Sequence, residues 1–184
     1  MKKIIIILLF NPFILLAQHS PEIIDIPGAS SDQLYRTAQD LFANTFISSD
    51  QYNQLNDPAG KTIMGKGVTQ IEWSIGRNPL IMNVYFTLNA QFKDNKCIYD
   101  LQSSEIKTSG GESYSYELLK KMGTKEGLKA FYKSKGIPVW MVGKKKFIQN
   151  MASNQELIAK VENHLQGMMD ELTSSLKKEI ASNN

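Results

Sequence analysis

A single cysteine, Cys97, stands in a chain of 184 residues, so no internal disulfide can form and a cystine-stapled scaffold is excluded. Imidazole is nearly as scarce: His19 and His164 are the only histidines, and they are not spaced as a metal-ligand pair. No Gly-x-Ser-x-Gly elbow occurs, which removes the commonest serine-hydrolase signature. Unbroken apolar sequence is also short. Ile4 to Leu16 is interrupted by Asn11 and Pro12, and a membrane-spanning helix needs roughly 20 apolar residues. At 42% hydrophobic and 21% charged residues, the composition is that of an ordinary globular domain and excludes a disordered or collagen-like chain.

The apolar stretch has another use. Met1, Lys2 and Lys3 precede it and Ala17-Gln18 follows, the basic, apolar and small-residue layout of a secretory signal peptide. Cleavage after Ala17 is expected, leaving residues 18–184 as a single exported α+β domain in the periplasm, at the cell surface or secreted. No cysteine follows the apolar run to take a lipid, and no stable membrane span is expected. Loss of Lys2 and Lys3 reduces the formal charge from +3 to +1. A chain so close to neutrality has no net field to draw it to nucleic acid or to an anionic membrane, so only local patches could do so. The densest patch is Lys144, Lys145 and Lys146, read as a solvated loop or strand edge, or else as a contact for an anionic partner.

Glu22 to Ile26 is short and β-branched and closes with Pro27-Gly28, which predicts a strand. Ser30 and Gln33 form a capping box that opens a helix with Leu34, Tyr35, Ala38, Leu41, Phe42 and Phe46 on one face. From about Asp50 to Thr108 the period changes to two, and turns at 57–60, 76–79 and 94–95 divide the region into four strands. Met82, Val84, Phe86, Leu88, Ala90 and Phe92 alternate with polar residues, giving one dry and one wet face. A two-residue loop at Asp94-Asn95 would pair Lys93 with Lys96, Phe92 with Cys97, Ala90 with Tyr99 and Leu88 with Leu101, all six apolar members dry. In the preceding strand, the parity of Ile63, Gly65, Gly67, Thr69, Ile71, Trp73 and Ile75 faces inward. Residues 109–150 read as an elaboration, with helices over Tyr114 to Met122 and Lys125 to Lys133 and an apolar stretch from Ile137 to Val142. Ser153 and Glu156 form a second capping box, which predicts the start of a long C-terminal helix striped from Leu157 to Ile180.

Several motifs together carry a resemblance. They are Ile26-Pro27-Gly28, Asp32-Gln33-Leu34-Tyr35 running into Leu41-Phe42 and Thr45-Phe46, Gly60 to Gly67, and Phe92 to Lys96 followed by Tyr99. From Ile24 to about Ile106 the chain resembles a family of exported bacterial domains of unknown function with a TATA-binding-protein-like (TBP-like) fold. The resemblance implies a curved antiparallel sheet in the order β-α-β-β-β-β-α, with the N-terminal helix and the long C-terminal helix packed on it. It supplies no catalytic residues, and a shared fold does not imply DNA binding.

The remaining chemistry is sparse. Gly65-Lys66-Gly67 lacks the Ser or Thr and the helix that a phosphate loop requires, and the glycines are better read as making room for a bulky residue of an overlying helix. Cys97 shares the parity of Tyr99 and Leu101 and reads as a small buried hydrophobe. His164 falls on the polar side of the last helix, and the adjacent Asp170 and Glu171 point apart. No catalytic residue, metal site or cofactor is assigned, and the ligand-binding residues are unknown. Trp73, Tyr85, Phe86, Phe92 and Tyr99 lie on neighbouring strands; Tyr85 sits on the wet parity, where it could serve recognition. The expectation is a non-enzymatic exported binding module of the cell envelope, meeting an envelope protein or a glycan. The alternatives are a carrier holding a small apolar ligand between sheet and last helix, bounded by Phe86, Leu88, Leu165 and Met169, and a hydrolase with an unrecognised site.

Overall fold

A computed structural model describes residues 21–46, 53–75 and 78–182. The proposed signal segment, residues 1–17, lies outside the described residues. Glu22–Asp25 forms β1 and Ser31–Phe46 forms α1. The Ser30 hydroxyl accepts the Gln33 N–H at 3.2 Å, which satisfies one of the orphan donors at the helix start. Leu34, Tyr35, Ala38 and Phe42 are buried along its inner face, as their helical spacing predicts.

The four expected strands follow as β2 (Asn53–Asp57), β3 (Thr62–Ile75), β4 (Asn78–Lys93) and β5 (Lys96–Thr108). They form an antiparallel meander, and β1 adds beyond β5 to give the order β1-β5-β4-β3-β2. The chain therefore starts at one edge, crosses to the other through α1, and returns strand by strand. The β4–β5 register matches the expected one at all four pairs: Lys93 with Lys96, Phe92 with Cys97, Ala90 with Tyr99 and Leu88 with Leu101. Asn95 takes φ 63° at the turn, a left-handed conformation that asparagine tolerates better than most residues.

One short strand was not expected. Ser113–Ser115 forms β6 against Glu105 to Lys107, so the first of the two helices placed in the elaboration begins at Tyr116 rather than Tyr114. That helix is α2 (Tyr116–Met122), and α3 (Lys125–Ser134) and the single turn α4 (Val139–Val142) follow. The last helix, α5, runs from Lys144 to Ser182, and Ser153 is therefore interior to it and does not cap it. The Phe147 N–H already bonds the Gly143 carbonyl at 3.0 Å, and neither Gly nor Pro interrupts residues 144–152, so the Ser153 and Glu156 pattern has no bare helix end to satisfy. Lys144, Lys145 and Lys146 form the exposed first turn of this helix, not a loop or a strand edge.

α1 and α5 cover one face of the sheet. Ile63, Ile71, Trp73, Val84, Phe86, Leu88 and Ile106 from the strands join Leu34, Phe42, Val161, Leu165, Met169 and Leu176 from these helices in one core. Gly67 needs a different explanation from the expected one. A Cβ there would meet the Phe86 ring at 2.5 Å, and Phe86 is its cross-strand partner on β4, so the missing side chain accommodates a neighbouring strand and not a helix. No described helix is long and apolar enough to cross a membrane.

Candidate functional site

Besides an open cleft of about 440 Å³ lined by Tyr114, Leu118, Lys121, Phe131 and Lys135, three places have the density of polar groups or the open volume a site requires. The first is the end of the sheet at the Asp94-Asn95 turn. The Asp94 carboxylate accepts the Ser31 N–H at 2.7 Å, the Asn95 side-chain oxygen accepts the Gly28 N–H at 2.8 Å, and the Asn95 backbone bonds Ile26 and Ala29. Lys61 pairs with Asp32, lies 5.5 Å over the Tyr35 ring, and gives its carbonyl to the Phe92 N–H. Tyr35, Phe92 and Tyr99 follow edge to face at about 6 Å. Hydrogen bonding from Ser31 holds the Asp94 carboxyl below its ordinary value, and the Lys61 hydrogen bond and charge do the same for Asp32. These groups satisfy one another and present little to a ligand.

The second place is the sheet face opposite the helices, which no described element covers. Its centre is the row Val68, Tyr85, Glu105 across β3, β4 and β5. A β-bulge between Tyr85 and Phe86 shifts the register here, and the Ser103 and Ser104 hydroxyls both donate to the Tyr85 carbonyl at 3.3 Å. Bulges of this kind re-aim side chains. Lys107 sits 4.6 Å over the Tyr85 ring and 3.4 Å from the Glu105 carboxylate, so Tyr85 is half-buried and held, not freely exposed. The Ser113 hydroxyl, then Lys107, lower the Glu105 pKa and keep this group ionised. Gln70 donates to Asn83 at 3.1 Å in the next row, and Gln102 donates to the Asp100 carboxylate at about 3 Å on the other side. Opposite Asp100 the Asn89 side-chain oxygen is covered yet accepts no hydrogen bond. Such an acceptor costs on the order of 1–3 kcal/mol until a donor reaches it.

The third is a groove of about 270 Å³ on the helix side, at the end of the sheet away from the Asp94-Asn95 turn. Trp73, Leu80, Met82 and Ile106 form its floor, Leu119, Met122, Leu128 and Phe131 its walls, and Asn150, Asn154 and Leu157 of α5 its rim. Asn150 bonds the Tyr132 hydroxyl, and Asn154 and Gln155 bond the carbonyls of Met122 and Gly123, tying α5 to the end of α2. Gly127 permits the tight joint between α2 and α3, because a Cβ there would lie 2.0 Å from the Lys121 carbonyl oxygen.

The expected apolar site lies elsewhere in the fold. Phe86, Leu88, Leu165 and Met169 are brought together, but as buried members of the core, and none of them lines the groove. Cys97 is fully buried, and burial pushes its thiol up to about 11. His164 is not on the polar side of α5: it is half-buried and its Nε2 lies 2.8 Å from the Thr69 hydroxyl on β3. The i, i+3 and i+4 stripe could not distinguish the margin of a buried face from its outside. Asp170 and Glu171 are both exposed. Among the described residues, no three His, Cys, Asp or Glu side chains converge as a metal site would require.

Residues 21–107 match the model of a family described as a domain of unknown function (DUF4468) with a TBP-like fold. Among solved structures, a DUF4468 family protein from Bacteroides ovatus is 22% identical with a TM-score of 0.47, over 53% of this chain and 59% of that one. A TBP-like protein from Parabacteroides distasonis is 10% identical with a TM-score of 0.49, over 85% of this chain and 90% of that one. The chain thus spans 59% of the length of the first of these. No curated protein matches it.

Proposed function

We propose that the protein, whose residues 21–107 match a domain family of unknown function with a TBP-like fold, is an exported, non-enzymatic binding module of the cell envelope that meets its partner through the uncovered sheet face. One observation carries this reading. The face is ordered around Tyr85 by Lys107, Glu105 and the bulge, and it holds an unsatisfied acceptor at Asn89. A pre-positioned ring among adaptable polar groups is the chemistry of protein and glycan recognition. Nucleic acid fits poorly, because Lys66, Lys93, Lys96 and Lys107 share the face with Asp25, Asp57, Glu72, Asp100 and Glu105, whereas phosphate backbones require a surplus of cations.

Co-purification from native envelopes tests the reading with three proteins: wild type, Tyr85→Ala, and Lys178→Ala on the exposed side of α5. A partner held by the face is retained by wild type and Lys178→Ala and lost with Tyr85→Ala. Retention by Tyr85→Ala would remove the face from the account.

The groove favours a second reading, a carrier of a small apolar ligand, now placed beneath α2 and α3. Its volume and apolar lining suit a small molecule. Native mass spectrometry of the gently purified protein would then detect an added mass that disappears in Leu80→Trp, which fills the groove from its floor.

A further inference from the structure

Charge in this chain is segregated. Six of its 21 basic residues and none of its 18 acidic ones fall within residues 127–155. Three of the six, Lys144, Lys145 and Lys146, occupy the exposed first turn of α5, where the helix dipole is itself positive. That placement works against helix stability, and among the described residues none of the three is ion-paired.

Exposed apolar side chains gather in the same stretch. Of the seven large ones among the described residues, Ile137, Trp140, Met141 and Ile148 lie within residues 137–148. Trp140 is 81% exposed and Met141 64%. The turn that carries them is built to project. Gly136 at φ 68° and Gly143 at φ 74° bracket it, conformations that side chains other than glycine rarely adopt. Val139 and Val142 anchor α4 to the core while Trp140 and Met141 point away from it.

We propose that the 136–148 turn docks the protein on the surface of an anionic lipid bilayer, Trp140 and Met141 entering the interface while Lys144, Lys145 and Lys146 meet the headgroups. Charge complementarity favours a bilayer, and so does shape. An indole this exposed has no walls around it to grip a peptide side chain, whereas a soft surface admits it. Tryptophan partitions to the membrane interface because its ring is apolar and its N–H is polar. Lysines flanking an apolar insertion add electrostatic attraction to acidic lipid. This contact is separate from the sheet face and would leave that face directed at its own partner.

The test uses the chain from Gln18 onward and vesicles of phosphatidylcholine, alone or with phosphatidylglycerol. Sedimentation with the mixed vesicles and not with phosphatidylcholine alone is expected, falling when salt is raised from about 50 mM to about 500 mM. Changing all three lysines to Gln should weaken binding about a hundredfold, and Trp140→Ala about tenfold. Trp73 is buried, so a blue shift of indole emission and its quenching by brominated lipid report on Trp140. Failure to sediment with the acidic vesicles overturns the proposal, as does equal binding to neutral ones. Bound protein with unshifted Trp140 emission overturns it too. Circular dichroism keeps a folding defect in a variant from being counted as lost binding, and the salt and emission results on wild type stand without any variant.

Discussion

The two ends of the sheet are finished differently. At the Asp94-Asn95 end, backbone and side-chain groups from the β1–α1 connection close over the hairpin tip, and the Asp94 and Asn95 side-chain oxygens each accept a backbone N–H. At the other end, α2, α3 and the start of α5 form a roof that leaves a groove of about 270 Å³ beneath it and exposed tryptophan and lysine beyond it. A closed end spends its polar groups on the fold; an end that leaves apolar surface and unpaired charge exposed retains them for contact with something else.

The contrast can be broken first at Gly127. Replacement by Ala puts a methyl into the Lys121 carbonyl, a backbone atom with little room to yield, and should cost about 3 kcal/mol. Urea denaturation measures the loss. If the two ends are independent, the Cys97 thiol, buried near the hairpin and pushed up to about 11, stays inert to thiol reagent at pH 8 in folded Gly127→Ala. Rapid labelling there would mean that one end unlocks the other.

Asn95→Ala strikes the closed end. It forces Ala into φ 63° and removes the acceptor for the Gly28 N–H, with an expected loss of about 2 kcal/mol. Asn95→Gly keeps the conformation, so the difference between the variants in urea midpoint separates backbone strain from the hydrogen bond. Equal losses would assign the whole effect to the side-chain contact.

The smallest effect is on pH dependence. Asp94 and Asp32 are more acidic folded than unfolded, so their contribution is complete above the ordinary Asp value of about 3.9 and is lost as pH falls through the lowered values. Both are exposed, so the change is slight. Asp94→Asn should flatten the acid limb of stability; an unchanged limb would show that the tip is held by its backbone bonds alone.

How much of this was legible follows the same division. Period-two alternation and the turn chemistry of Asp94-Asn95 lead independently to the β4–β5 register, because side-chain parity and loop length are both local. Of the motifs that carry the family resemblance, Ile26-Pro27-Gly28, Asp32 to Tyr35, the start of Gly60 to Gly67 at Lys61 and the Phe92 to Lys96 hairpin converge at the closed end, so these mark how the fold is finished and not what it binds. The docking of the hairpin tip on Gly28 and Ser31 joins residues 63 and 67 positions apart, and nothing local announces it. The start of α5 was hidden because a capping pattern at Ser153 looks the same inside a helix as at its end. The groove was misplaced for a related reason: apolar stripes show which residues leave water, but not whether the space between them is filled. Tyr85 was placed on the open face by parity alone, while the bulge and Lys107 that hold it depend on strand pairing.

The length of α5 bears on the order in which the molecule is assembled. Its 39 residues extend about 58 Å, and they follow every described strand. Those strands are therefore all synthesised before the helix that shelters much of the sheet's apolar face. Its core pairings are far apart in sequence and late to form. A sheet that closed before this helix docked would lie bare on its apolar side, the arrangement a chaperone would have most to hold.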